Sequence, residues 1–152
     1  MKMTGASSLT LDQLLCFSIY STGHAFNRIY KPLFDRIGLT YPQYLVMVVL
    51  WQEDGQTVRS IGKKLFLESN TLTPLIKRLE SAGFVSRNRD REDERQVRVV
   101  LTQKGRKLQQ DAQDVPRCVF EACGLDLDEV ADLNHKLVKL RTSLENAADR
   151  TV

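Results

Sequence analysis

The chain has 152 residues, 42% hydrophobic and 27% charged, which is one domain of ordinary globular composition and too apolar for a disordered polypeptide. No apolar run approaches the roughly 18 residues of a membrane span, the longest being 44–51, and the N-terminus has no signal-peptide core, so a cytoplasmic protein is expected. The net charge of +3 hides an asymmetry: residues 57–107 hold 13 Lys/Arg against 6 Asp/Glu, which suggests either a face built for a polyanion or an unevenly charged solvated surface.

A short polar tail runs to about Ser8. Thr10 and Gln13 then have capping-box spacing ahead of Leu14, Leu15, Phe17, Ile19 and Tyr20. This predicts a long helix to about residue 36, kinked or broken near Pro32 and ended by Gly38. A second box, Thr40 with Gln43 and with Pro42 in the first turn, opens the run 44–51. A helix apolar nearly all round is a buried one. Asp54-Gly55 should end it. Thr57 caps a short helix to residue 64, with Val58, Ile61 and Leu65 on one face. After a turn at 66–68, Ser69, Asn70 or Thr71 caps the next helix, which carries Leu72, Leu75, Ile76 and Leu79 and stops at Gly83.

The period then changes from helical to alternating. Residues 84–89 and 96–101 read as the two strands of a β-hairpin joined by the charged turn 90–95. Thr102 caps a helix from 104 to about 114, which Val115-Pro116 interrupts. A last amphipathic helix, about 126–146, has Val130, Leu133, Leu137, Leu140 and Leu144 on one face. Two short helices followed by a hairpin, inside an otherwise helical chain, make a winged helix-turn-helix. The expected fold is therefore mainly α with a small β-hairpin: one domain over 1–152, with a DNA-binding core at about 40–101. The end helices, about 9–36 and 103–147, are too apolar to be satisfied by so small a core. They are expected to form a dimer interface with a second copy of the chain.

A helix that reads DNA needs short polar and basic side chains near its exposed N-terminal end. Ser69, Asn70, Thr71 and Thr73 are of the first kind, Lys77 and Arg78 of the second, and Pro74 lies close to the first turn. The free N–H groups of the helix start can hold a phosphate. In the hairpin, Arg87, Arg89 and Arg91 climb to the tip and Asp93 and Arg95 descend from it, so guanidinium groups can reach a minor groove. At least one of the acids Asp90, Glu92, Asp93 and Glu94 should pair with an Arg and stiffen the wing. A polar surface helix and a self-neutralising hairpin are the plainer alternatives.

Three cysteines, Cys16, Cys118 and Cys123, are an odd number with no secretion signal, which argues against a disulfide framework. None forms a CxxC pair, and His24 and His135 lie far from them in sequence, so neither a metal site nor a cofactor is expected. The thiols are either buried core residues or reactive ones. All four tyrosines, Tyr20, Tyr30, Tyr41 and Tyr44, share the first 44 residues with Cys16, and a phenol can donate to a thiolate. Tyr20 is one turn from Cys16. Tyr30 is 14 residues on, about 21 Å along a straight helix, so contact with Cys16 would have to come from a second subunit.

The stretch SIGKKLFLESNTLTPLIKRLESAGFVSRNRDREDERQVRVVLTQKG, with its Asp93-x-Arg95 wing and Leu101-Thr102-x-x-Gly105 exit, resembles the DNA-binding core of the MarR family. LDQLLCF around Cys16 and LTYPQY from Leu39 resemble that family's organic-hydroperoxide-sensing, OhrR-type branch. The resemblance implies a dimeric repressor, not an enzyme, that binds double-stranded DNA at an inverted repeat. It also implies that an organic hydroperoxide oxidises Cys16 to a sulfenic acid, and that Tyr30 and Tyr41 hydrogen-bond that cysteine. In two-cysteine members a second thiol follows a Val/Ile-Pro pair. Here Val115-Pro116 precedes both Cys118 and Cys123, with Cys123 slightly preferred and a mixed disulfide with a small thiol as the other route. Two alternatives stand beside this reading. One is a MarR-type repressor released by a small aromatic ligand. The other is a thiol peroxidase, for which a single hairpin offers too few strands.

Overall fold

Thr10 and Gln13 do form the reciprocal capping box, but it closes on one turn of 3-10 helix, Leu11–Gln13, rather than on the long helix itself. The chain extends at Leu14, and α1 then runs over Leu15–Ile37. This is a computed structural model, and it describes residues 9–150; the polar tail read at 1–8 lies outside the described residues. Helix α1 passes through Pro32 unbroken. Both Pro32 and Arg28, whose carbonyl loses its partner to the ring, are exposed, so water can take the place of the missing N–H. Gly38 ends α1 in the left-handed conformation at φ 71°, which a side chain would resist.

The described chain falls into two units, one up to Val115 and one from Pro116 onward. In the first, α2 (Tyr41–Gln52) starts on the Thr40/Gln43 box and buries Val46, Met47 and Leu50 completely. A two-residue strand, β1 (Gln56–Thr57), follows. Thr57 then caps α3 (Val58–Leu65) by accepting from the Ser60 amide at 3.1 Å. The turn into α4 (Ser69–Ser81) is tight because Gly62 lets the Leu67 carbonyl approach; a Cβ at Gly62 would stand 2.7 Å from that oxygen. Leu72, Ile76 and Leu79 seat α4 on the core, fully or almost fully buried with Ile61 of α3.

Strands β2 (Val85–Arg89) and β3 (Val97–Leu101) form the expected hairpin, with Val85 opposite Leu101 and Arg89 opposite Val97. The sheet has one strand more than the sequence patterning suggests. β1 pairs antiparallel with the other edge of β3, in the order β1-β3-β2. Two residues are too few to show an alternating pattern. Thr102 caps α5 (Gln103–Asp111), whose Leu108 is buried.

The second unit corrects another expectation. Val115-Pro116 does not merely interrupt a helix; it begins α6 (Val115–Cys123). Proline in the first turn sacrifices only an N–H that would have no helical partner. Helix α7 (Leu127–Asp149) follows, opened by an Asp126/Glu129 box. No residue of α7 is buried, and Leu133, Leu137 and Leu144 are 41–61% exposed. Among the described residues no helix is long and apolar enough to cross a membrane.

Candidate functional site

Helix α4 and the hairpin enclose a groove of about 480 Å³, lined by Ser69 and Thr73 of α4, Arg87, Asp93 and Arg95 of the hairpin, and Thr57 and Arg59 at the start of α3. Ser69, Asn70 and Thr71 are the first three residues of α4 rather than its cap. The N-cap is Glu68, whose side chain makes no capping bond, so the helix start keeps free backbone donors beside exposed hydroxyl and amide side chains. Thr73 Oγ donates to the Ser69 carbonyl at 2.7 Å, which fixes its methyl and hydroxyl. Pro74 falls in the second turn. Lys77 and Arg78 are exposed further along the helix.

The wing is stiffened by its own acids. Asp90, 5% exposed, accepts from the amides of Glu92 at 2.8 Å and Asp93 at 3.1 Å and is ion-paired with Arg98. Those two amides, and then Arg98, hold its carboxyl below the usual carboxylate range. Arg98 also donates to the Gly55 carbonyl at 2.6 Å, so the wing is tied to the loop before β1. Asp93 accepts from the Arg95 amide at 3.1 Å and from Gln96 Nε2 at 3.2 Å. Arg95 is exposed and lines the groove, and Arg89 and Arg91 are exposed at the tip. Arg87 is different. Its Nε donates to Glu80 of α4 at 2.7 Å and its amide donates to the same carboxylate at 3.1 Å. Arg87 therefore clamps wing to helix while it lines the groove. Hydrogen bonds from Arg87 likewise lower the Glu80 carboxyl. The sequence reading missed Arg59, Glu80 and Arg98. Arg59 could have been found as the second residue of a Thr57-capped helix; the other two depend on contacts remote in sequence.

The second candidate site lies on α1. Cys16, the second residue of α1, is exposed. The Tyr20 ring meets His24 edge-on at 4.4 Å. Tyr30 stacks on Tyr41 at 4.5 Å and on Phe34 at 5.0 Å. A pocket of about 450 Å³ is lined by Tyr20, Gly23, His24, Phe26, Asn27, Tyr30 and Tyr41. Three of the four predicted sensing residues thus share one concavity. Cys16 stands a helical turn outside it, and the continuity of α1 keeps Tyr30 about 21 Å away along the axis. Tyr44 is buried beneath, and burial, then its neighbour Tyr41, pushes its phenol above the ordinary value. Cys118 and Cys123 are half-buried on α6.

A recognition helix, a wing and a basic groove between them define a winged helix-turn-helix DNA-binding regulator. Residues 28–112 match the family model described as transcriptional regulator SarA/Rot. The chain is 49% identical over 142 residues to the HTH-type transcriptional regulator TtmR of Methylorubrum extorquens, covering 93% of this chain and 73% of that protein. It is 39% identical over 137 residues to the organic hydroperoxide resistance transcriptional regulator of Bacillus subtilis, covering 90% and 91%. Among solved structures, reduced AbfR bound to DNA superposes with a TM-score of 0.73 at 39% identity, covering 90% and 93%. Disulfide-formed AbfR superposes with a TM-score of 0.60 at the same identity, covering 91% and 92%. The chain belongs to the MarR/SarA family of winged-helix transcription regulators, as a member of the OhrR type. It is a DNA-binding regulator of transcription and not an enzyme.

Proposed function

We propose that this regulator is a cytoplasmic repressor, acting as a homodimer on an inverted repeat, that releases its operator when an organic hydroperoxide oxidises Cys16. The observation that carries this reading is the exposed Cys16 at the start of α1, one turn before an aromatic pocket that gathers Tyr20, Tyr30 and Tyr41. The Cys16 thiolate attacks the outer oxygen of the hydroperoxide, and the O–O bond breaks. The sulfur is oxidised by two electrons to a sulfenic acid, and the peroxide leaves, after taking up a proton, as the alcohol. A second thiol, Cys123 or Cys118 or a small-molecule thiol, then attacks that sulfur and displaces water, forming a disulfide. Because Tyr30 cannot reach Cys16 along its own helix, the phenols that meet the sulfur come from Tyr30 and Tyr41 of the partner subunit. The exposed apolar faces of α1 (Leu15, Ile19, Phe26, Ile29) and of α7 support burial against a second copy. The resemblance to AbfR, seen reduced on DNA and separately as a disulfide, supports a redox trigger.

The DNA contacts we assign to Ser69, Asn70, Thr71, Thr73 and Pro74 for base edges, and to Lys77, Arg78, Arg89, Arg91 and Arg95 for backbone and minor groove. Arg87 and Asp93 hold the wing. The test is a gel shift on the gene's own upstream DNA. Cys16→Ser should bind as tightly as wild type yet stay bound in the presence of cumene hydroperoxide. If the variant still dissociates, the sensor assignment fails. The pocket's size and aromatic lining favour one other reading, release by a small aromatic ligand. Titrating aromatic acids into the DNA complex in reducing buffer separates the two.

A further inference from the structure

One element that joins the tyrosine pocket to the DNA-reading head is α2, and its two ends are anchored in contrasting ways. At the N-terminal end Tyr41 lies in the ring stack with Tyr30 at 4.5 Å, and Tyr44 meets Phe34 at 4.9 Å. At the C-terminal end directional bonds run to the base of the wing. Trp51 Nε1 donates to the Gly105 carbonyl at 3.0 Å. The Asp54 carboxylate, just beyond α2, accepts from the Leu101 amide at 2.8 Å and from Arg106 at 2.9 Å. Between these ends α2 buries its side chains almost all round, so it cannot bend or slip without opening the core. A 12-residue helix is about 18 Å long. A displacement imposed on Tyr41 is therefore delivered, little diminished, to the start of α5 and the end of β3.

We propose that α2 is the transmission lever of this regulator, and that Trp51 is the positioning residue that passes the state of the Tyr30–Tyr41 stack to the wing. The inference rests on the redox reading above and adds its route. Trp51 touches neither the oxidant nor the operator. It acts by fixing Gly105, whose helix start is pressed against the Phe84 carbonyl. Both sites then bias a single element, as coupling between separated sites requires.

Trp51 is the chain's only tryptophan, so its emission reports the joint directly. The experiment uses the full-length dimer, cumene hydroperoxide as oxidant, and thiol titration with intact mass to confirm complete oxidation of Cys16. In the wild type the emission should shift in step with DNA release, and in Cys16→Ser it should not move. In Trp51→Phe, which keeps a ring but loses the N–H, operator affinity of the reduced protein should stay within about twofold of wild type. The ratio of oxidised to reduced dissociation constants should shrink about fivefold, the equivalent of one hydrogen bond. A merely structural role would weaken both states together and leave that ratio intact. Wild-type emission that stays constant while Cys16 is oxidised and DNA is released overturns the lever, whether or not Trp51→Phe folds well. So does an undiminished ratio in a folded Trp51→Phe. Release of DNA by Cys16→Ser instead overturns the redox reading beneath it, so the two failures are distinguishable.

Discussion

Gly105→Ala exposes how closely the wing's exit is packed. Gly105 is the third residue of α5, its N–H capped by Thr102 Oγ at 3.0 Å. A Cβ there would stand 2.0 Å from the Phe84 carbonyl oxygen and 3.0 Å from its carbon. That oxygen is backbone and accepts from the Thr102 amide at 3.0 Å, so no side-chain rotation relieves the clash. Helix and backbone must part by roughly 1.5 Å to restore ordinary contact. Alanine gains about 1 kcal/mol over glycine in a helix. Overpacking costs about 3 kcal/mol at a site this unyielding, and the strained Thr102 bond adds about 1 kcal/mol. The net is a destabilisation of about 3 kcal/mol, or a fall in Tm of about 10 °C for a chain of this size. The comparison is Gly23→Ala in α1, where nothing lies within 4 Å of the added Cβ and a gain of about 0.5–1 kcal/mol is expected. Thermal and urea unfolding at one fixed protein concentration, with operator affinity measured alongside, gives both numbers. A Gly105→Ala protein melting within about 2 °C of wild type would refute the packing argument.

Removing phosphate contacts should show as salt dependence. Lys77→Ala or Arg95→Ala should each weaken binding to specific and nonspecific DNA alike and reduce the log–log salt slope by about 1, measured by anisotropy across a salt series; an unchanged slope removes that residue from the interface. Arg87→Ala should behave differently, lowering Tm through the lost Glu80 clamp while leaving the slope within about 0.5 of wild type, because its charge is already neutralised. Acid should loosen the wing before the core. The folded-state value of the Asp90 carboxyl is depressed, chiefly by the Asp93 and Glu92 amides. Its stabilisation is therefore complete above the ordinary carboxylate value of 3.8 and is lost as pH falls through the lower folded value. Glu80 shifts the same way, so both effects add. The Glu92 and Asp93 amide resonances should titrate below about pH 4 and stay flat between about pH 5 and 8; movement in the upper window would contradict the assignment.

The elements most legible in the sequence were those whose signals are local. Thr40 with Gln43, Thr57 and Thr102 are caps acting within one turn, and each marks a real helix start. Thr10 misled because its box is satisfied by a single 3-10 turn; nothing within three residues says whether a helix continues past Leu14. Strand β1 was invisible because its pairing is made by β3, some 40 residues away. The roles of Arg87 and Arg98 were illegible for the same reason. Chain order groups Arg87 with the tip arginines, whereas Glu80 and Asp90 take both into the frame. The number of tyrosines near Cys16 is legible in the sequence, but the stack that joins Tyr30 to Tyr41 across two helices exists only in the fold.

The placement of the thiol and the second subunit proposed above have one cause. Helix α1 buries only Phe34 of its 23 residues, leaving Leu15, Ile19, Phe26 and Ile29 at 38–61% exposure. An apolar stripe of that length is a liability on a monomer and is stabilising only when covered. Cys16 sits at the start of the same helix, next to Leu15. Whatever covers the stripe therefore lies beside the sulfur, and any change in the sulfur's size or bonding is felt first at that contact. A dimer that reads two half-sites about one helical turn apart is sensitive to small changes at such a contact, since both recognition helices must stay in register with the grooves. A thiol buried in the core of one winged head would have to unfold that head to be read. A thiol at the junction of two heads, where the proposed dimer would put Cys16, need only change the distance between them.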